Sequence, residues 1–337
     1  MTIKDIAKAL GCSVSTVSRA LQDNPAISRE RREAIQQYAR EHNYQVNAIA
    51  SSLRTSGAHN THLIGVVLPQ LDHYYFANIL MGIENYCSAH DYGVMIIHNG
   101  DHYDNEVKAF QLLRRHKVAG IICSQAKDTK RCDHFQASID DGTPLVFVDR
   151  ICTGIHTSRV VVDDYAGAFA ATEHLILTGC RRIAYMGATM NLEISKNRYN
   201  GYRDAMHRHH LEIDPRWVYQ CDNRQEAEGL TPLIMSLENA PDGFFTINDD
   251  TALGVLYSCK RMGLRVPEDV SICGFSNGIR AVSCDPQLTT VEQHGQQVGH
   301  DAAQLLIQKV EGQVPLDQYT SSLVKTRLVV RGTTREI

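Results

Sequence analysis

Thr2-Ile3-Lys4-Asp5-Ile6-Ala7-Lys8-Ala9-Leu10-Gly11-Cys12-Ser13-Val14-Ser15-Thr16-Val17-Ser18-Arg19-Ala20-Leu21 opens the chain with two short helical periods separated by a glycine. Thr2 suits a helix start, with Asp5 near the positive end of the helix dipole. Ile6, Ala7 and Leu10 follow as an apolar stripe at helical spacing. Gly11 can take the left-handed conformation that ends such a helix. Ser13 can cap a second helix, Val14 to Leu21, by accepting from free backbone N–H groups. Two helices joined by a tight glycine-containing turn form a helix-turn-helix.

The second helix divides into two faces. Val17, Ala20 and Leu21 share the side that packs on the first helix. Ser15, Thr16, Ser18 and Arg19 occupy the other, with Ser13 and Val14 at its opening. Short side chains let a helix sink into a DNA major groove, and an arginine can grip guanine O6 and N7 with two hydrogen bonds. The same pattern also describes the solvated face of any small helical domain, and the face alone does not decide between them. A third helix from Ser28 buries Ile35, Tyr38 and Ala39, with Arg29, Arg31 and Arg32 at its first turn. Charge is distributed to match. Residues 1–56 hold eight Lys and Arg against five Asp and Glu, whereas the remainder holds 26 against 33. A basic head on an acidic body points to a polyanion partner for the head only.

After Asn43-Tyr44, Asn47 is a good cap for Ala48-Ile49-Ala50-Ser51-Ser52-Leu53-Arg54. Eight residues are too few for a stable isolated helix, so this segment is expected to fold only when something holds it. A polar linker, 55–62, follows.

Together, Thr2-Ile3-Lys4-Asp5-Ile6-Ala7, Ser13-x-x-Thr16-Val17-Ser18-Arg19-Ala20-Leu21 and Asn47-Ala48-Ile49-Ala50-x-x-Leu53 resemble the head of the lactose-repressor and galactose-repressor family of transcription regulators. The resemblance implies that Val14, Ser15 and Arg19 choose bases. It also implies that hinge helices of two subunits pair in the minor groove, with Leu53 wedged between base pairs. Unstacking a base step costs a few kcal/mol and is offset by contacts that the bend permits. Val46 and Ser51 depart from the family, which often has proline and arginine there.

From residue 63 apolar strands alternate with amphipathic helices. Leu63–Leu68, Val94–His98, Val118–Cys123 and Leu145–Val148 read as buried parallel strands. A second series follows Val160-Val161-Val162, with strands near 182–186, 217–220, 243–247 and 270–273 and a last strand near 323–330. The expected fold is α/β: an all-α head and hinge, then two doubly wound parallel sheets. The resemblance implies a periplasmic-binding-protein-like core. Expected boundaries are 1–45 for the head and 46–62 for hinge and linker. The first lobe is 63–161 plus about 292–320, and the second 162–291 plus about 321–337.

Open parallel sheets bind ligands beyond the carboxyl ends of their strands. Strand exits carry His73-Tyr74-Tyr75-Phe76, Ser124, Asp149-Arg150, Asn248-Asp249-Asp250 and Phe275-Ser276-Asn277. By resemblance, Tyr75, Phe76, Ser124, Asp149, Arg198, Asn223, Asn248 and Ser276 are effector-contact positions. Tyr75 and Phe76 equally suit a helix–sheet core, and Asn248 or Asp249 a helix cap. A buried arginine and carboxylate at facing strand ends need a ligand or each other. Ser276 stands where many sugar-responsive relatives have aspartate. The expected effector is a sugar, sugar acid or sugar phosphate; Arg198, with Lys196 and Arg150 near it, tilts the cleft toward positive and favours the acidic ones.

Enzymatic signatures are missing: no G-x-G-x-x-G after a strand, no Walker loop, no G-x-S-x-G and no H-E-x-x-H. His207-x-x-His210 lies in a charged stretch that reads as solvated. No cofactor, metal or catalytic residue is expected. The ten cysteines are scattered without a C-x-x-C pair, which suggests a reduced, cytoplasmic protein without zinc or disulfides. No signal segment or membrane-spanning run is seen, which disfavours the alternative of a periplasmic solute-binding protein. No leucine heptad follows the last expected strand, so a homodimer on double-stranded operator DNA is the expected assembly.

Overall fold

Helix α1 (Ile3–Ala9) begins where Thr2 and Asp5 satisfy each other's backbone. The Asp5 N–H donates to Thr2 Oγ1 at 3.3 Å and the Thr2 N–H donates to the Asp5 carboxylate at 2.8 Å. Gly11 ends it at φ +59°, with open space where a Cβ would stand, so backbone conformation rather than crowding requires glycine. Ser13 Oγ then accepts from the Thr16 N–H at 3.1 Å to open α2 (Val14–Leu21). With α3 (Arg29–Glu41), these helices bury Ile6, Ala7, Val17, Ala20, Ile35 and Ala39, and Tyr38 packs at the edge.

The computed structural model describes residues 1–21, 23–44 and 61–336, in two compact units, 1–61 and 62–337. The hinge residues Asn47, Ala50 and Leu53 lie outside the described residues.

In the second unit, β1 (Leu63–Leu68), β2 (Gly93–His98), β3 (Gly120–Cys123), β4 (Leu145–Val148), β5 (Ser158–Val162) and β11 (Ser321–Val324) form one parallel sheet. Its order is β11-β5-β4-β3-β1-β2. The second sheet, β12-β10-β9-β8-β6-β7, contains β6 (Ile183–Gly187), β7 (Val218–Gln220), β8 (Gly243–Thr246), β9 (Ser271–Ser276), β10 (Thr289–Glu292) and β12 (Arg327–Val329). Only the β10–β12 pair is antiparallel. Helices α4 (Tyr74–Ala89), α5 (Tyr103–His116), α6 (Asp133–Asp140) and α12 (Gly295–Val310) cover the first sheet. Helices α7 (Asp164–Leu177), α8 (Glu193–Arg208), α9 (Arg224–Met235), α10 (Asp249–Arg261) and the short α11 (Ile279–Ser283) belong to the second.

Strands buried on both faces explain the continuous apolar runs. Along β1, Ile64, Val66 and Leu68 enter one core and Val67 the opposite one. In β8, Phe244 and Phe245 likewise divide between the two sides of the second sheet. Helices α4 and α12 cross closely at Gly82 and Gly299, where an added Cβ would overlap the Gln296 and Ile79 carbonyl oxygens. Gly299→Ala is therefore expected to push the helices apart and cost about 1–3 kcal/mol. Urea unfolding should show a lower midpoint with an unchanged slope.

Several expectations need correction. Strand β2 is an edge strand with partly exposed side chains, because it pairs only with β1. The final strand is two strands, one in each sheet, so the first lobe extends through Val324 rather than ending near 320. The break falls where the chain crosses between lobes: the Asp163 N–H donates to the Val324 carbonyl at 2.9 Å, and Thr326 Oγ1 donates to the Asp163 carbonyl at 3.2 Å. Finally, Cys132 and Cys152, separated by 20 residues, form a disulfide, while the other eight cysteines are free. Strands β3 and β4 are sheet neighbours, so the loops leaving them lie side by side, a proximity that sequence spacing does not display.

Candidate ligand cleft and DNA-reading face

Between the strand exits of the two lobes lies a cavity of about 640 Å³. Tyr75, Phe76, Asp149, Arg198, Asn223, Asn248 and Ser276 all line it. Ser124 does not: it is fully buried, and its hydroxyl has no partner among the described residues. Tyr75 and Phe76 open α4 as a tilted ring pair 5.7 Å apart. The Tyr75 hydroxyl is buried and has no hydrogen-bond partner among the described residues. Burial, reinforced by Asp149, holds that phenol well above its ordinary pKa, so it stays a donor. Tyr74 points away and is exposed.

Arg198 is fixed from three sides. Its Nε and Nη2 each lie 2.7 Å from Asp164 Oδ1, its Nη1 donates to the Ile247 carbonyl at 2.6 Å, and its guanidinium covers the Phe275 ring at 3.8 Å. Burial pushes the Asp164 carboxyl up to about 6 even though Arg198 opposes the shift. Burial works against the charge on Arg198 as well, but Asp164 and Asp149 hold its pKa above the ordinary value. The carboxylate that Arg198 needs is thus Asp164, at the start of α7, and not the facing Asp149.

Asp149 remains available. It sits at φ +58° just beyond β4, and among the described residues its carboxylate accepts no hydrogen bond. Arg150 Nε approaches it only to 3.9 Å. Burial raises its pKa against the pull of Arg150, Arg198 and His73. Three further polar groups at the cavity have no hydrogen-bond partner among the described residues: His73 Nδ1, Arg150 Nε and Gln293 Nε2. Burial lowers the His73 pKa, favouring the neutral imidazole.

The positive tilt expected from Ser276 is absent. Each cation lining the cavity carries its own carboxylate: Arg150 with Asp101 at 2.5 Å, Lys127 with Asp222 at 3.1 Å, Arg224 with Glu228 at 2.7 Å, Arg280 with Asp250 at 2.5 Å and Arg198 with Asp164. Lys196 pairs with Glu193 and does not line the cavity. The Lys127–Asp222 pair spans the cleft from one lobe to the other.

Asn223 and Asn248 have structural work beside the cavity. Their side-chain oxygens cap α9 and α10, accepting from Glu226 at 3.0 Å and Thr251 at 2.8 Å. Asn248 also donates to the Asp222 carbonyl at 2.7 Å. Ser276 ends β9 at φ +136° and is nearly buried. Behind it, Asp249 accepts from the Gly278 N–H at 2.7 Å and from Thr290 Oγ1, and burial raises its pKa to about 6. A carboxyl with a folded pKa of about 6 against 3.8 unfolded stabilises most below pH 4, and that contribution is lost as pH rises to 6. Asp249→Asn should therefore gain on wild type across this window, by at most about 3 kcal/mol, in urea unfolding between pH 4 and 7.

On the head, Ser13 Oγ bonds the hydroxyls of Ser15 at 2.7 Å and Thr16 at 2.8 Å. Ser15 and Arg19 are exposed, Thr16 and Ser18 half-buried, and Val14 packs against the small core. Arg19 makes no ion pair with any described residue. Gln36 of α3 donates to the Ala20 carbonyl at 3.0 Å and to Asp23 at 2.9 Å, fixing the end of α2.

Sequence reasoning missed Asp164, Gln293 and the Lys127–Asp222 pair. A buried arginine signals that an acid must exist, but which strand exit supplies it is decided by topology.

Family models described as "Bacterial regulatory proteins, lacI family" and "Periplasmic binding proteins and sugar binding domain of LacI family" match residues 2–47 and 61–327. The ribose operon repressor of Halalkalibacterium halodurans is 32% identical over 99% of this chain and 97% of its own. The HTH-type transcriptional repressor PurR of Actinobacillus pleuropneumoniae is 27% identical, covering 100% and 99%. Among solved structures, the lac repressor dimer bound to operator and the anti-inducer ONPF superimposes with TM-score 0.86 at 22% identity, over 100% and 99% of the two chains. A LacI family regulator from Enterococcus faecium with bound ribose gives 0.72 at 22% identity, over 82% and 99%.

Proposed function

Because this chain belongs to the lacI family of bacterial regulatory proteins, we propose that it is a cytoplasmic repressor whose grip on operator DNA is set by a neutral, hydroxyl-rich metabolite held between its lobes. Ser13, Val14, Ser15, Thr16, Ser18 and Arg19 meet the major groove, and Asn47, Ala50 and Leu53 the minor groove. Two subunits read two half-sites of a near-palindrome, as two-fold symmetry requires. The chain works as a regulator, not as an enzyme.

The observation that carries the ligand reading is Asp149: a buried acceptor with no hydrogen-bond donor among the described residues, in a cavity whose cations all pair with carboxylates. A sugar hydroxyl supplies the missing donor without bringing in a charge. Ligand contact with Asp149 on one lobe and Arg198 on the other changes how the lobes sit, and coupling of about 1–3 kcal/mol to DNA affinity is typical of such linkage.

Thermal-shift screening of the full chain against neutral sugars, sugar acids, sugar phosphates and nucleobases tests this. A neutral sugar should stabilise the protein, and Asp149→Asn should weaken its binding about tenfold by removing a charge-assisted hydrogen bond. Stabilisation by acidic ligands alone would overturn the ligand assignment.

A further inference from the structure

The Cys132–Cys152 bridge has no part in the mechanism above, yet it joins two of the first-lobe loops that reach the cleft. The loop after β3 runs from Ser124 through Lys127 to Cys132, immediately before α6. The loop after β4 carries Asp149, Arg150 and Cys152. Apart from the bridge, these loops are joined by the Gln125 N–H donating to the Arg150 carbonyl at 3.1 Å. Asp101 Oδ1 also accepts both from the Lys127 N–H at 2.8 Å and from Arg150 Nη1. The disulfide therefore fastens the outer ends of two segments whose inner ends place Lys127, Asp149 and Arg150 in the lining of the cleft.

The pair is also reachable. Cys132 is half-buried while Cys152 is buried, so the bridge is open from the Cys132 side; beside it lies Gly154, where an added Cβ would stand 3.8 Å from the Cys132 sulfur and 4.0 Å from that of Cys152. Most other cysteines are buried singly, and burial pushes the thiols of Cys87, Cys221 and Cys259 up to about 12, which makes them poor nucleophiles. In a reducing compartment a disulfide is typically transient and responsive to redox state rather than a permanent staple.

We propose that Cys132 and Cys152 form a thiol–disulfide exchange site for low-molecular-weight thiols, and that its oxidation state sets how firmly the first lobe's half of the cleft is held. In the reductive direction a thiolate RS⁻ attacks the Cys132 sulfur, the S–S bond breaks, and Cys152 leaves as a thiolate that takes a proton. A second RS⁻ attacks the R sulfur of the mixed disulfide, releasing RSSR and the Cys132 thiolate. Two thiols are oxidised and one protein disulfide is reduced, and oxidation by RSSR is the reverse. The consequence for effector affinity rests on the cleft being the effector site; the exchange chemistry does not.

The native full chain should be equilibrated in glutathione buffers of graded ratio, quenched with acid, unfolded and alkylated, with hydrogen exchange followed in parallel. The expected result is a transition between eight and ten alkylated cysteines, the two gained being Cys132 and Cys152. Amides in 124–132 and 149–157 should exchange several-fold faster in the reduced form, and Cys132→Ser should exchange like the reduced protein in every buffer. Ten alkylated cysteines at every ratio would overturn the exchange site. A transition that leaves exchange in both segments unchanged would overturn its control of the cleft. Neither result depends on which effector or operator the protein binds, so failure here is separable from failure of the regulatory reading.

Discussion

Arg198→Leu is expected to destabilise the protein by about 3–5 kcal/mol, because it strands a buried carboxylate rather than merely deleting a contact. Asp164 is almost wholly buried, and Arg198 is its only ion-pair partner among the described residues. Removing the guanidinium also frees the Ile247 carbonyl and uncovers the Phe275 ring. The sign of the pH dependence follows from Asp164. Its folded pKa of about 6 already exceeds the unfolded 3.8, and losing Arg198, which lowers it, raises it further. The variant's penalty is thus fully present above that higher pKa and shrinks as pH falls through it, since the neutral acid tolerates burial. Urea unfolding at pH 5 and 7.5 should show the gap to wild type narrowing at pH 5. Asp164→Asn combined with Arg198→Leu should recover most of the loss at pH 7.5, and a double variant no more stable than Arg198→Leu would show that Asp164 is not the stranded group.

Arg19→Ala should leave the fold intact, yet remove about 1–3 kcal/mol of discrimination, roughly 5- to 150-fold, at one base pair in each half-site. Arg19 is exposed on α2, pairs with no described carboxylate, and lies beside hydroxyls short enough to let the helix approach base edges. An arginine that only neutralised phosphate would give a different result: a near-uniform affinity loss across sequences and a shallower salt dependence. Comparing the variant's base preferences and salt slope with those of wild type separates the two roles.

The head was legible because each of its decisions is local. A reciprocal cap, a left-handed glycine and a serine cap lie within twelve residues, and their hydrogen bonds form where the spacing put them. Strands buried on both faces were equally plain, as with Leu63–Leu68. Strand β10, Thr289–Glu292, was hidden because three of its four residues are polar: Thr289 and Thr290 are buried, satisfied by the Arg331 carbonyl and Asp249. Its partners lie about forty residues away in either direction, and no local pattern announces them. The same distance hid Asp164 as partner of Arg198, 34 residues on, and the closeness of Cys132 to Cys152. The pairing of the cleft's cations was illegible for this reason too. Ser276 and Arg198 were read without the carboxylates that other strand exits bring to the cleft.

The central claim is that this chain reads a specific DNA sequence with the exposed face of α2. Repeated selection of duplexes from a random-sequence pool by the purified full chain tests it most directly, with Arg19→Ala run alongside. Recovery of a near-palindromic site whose preference collapses at one position per half-site in the variant is the expected result; a pool that stays unselected, or identical profiles for both proteins, would contradict this role of α2.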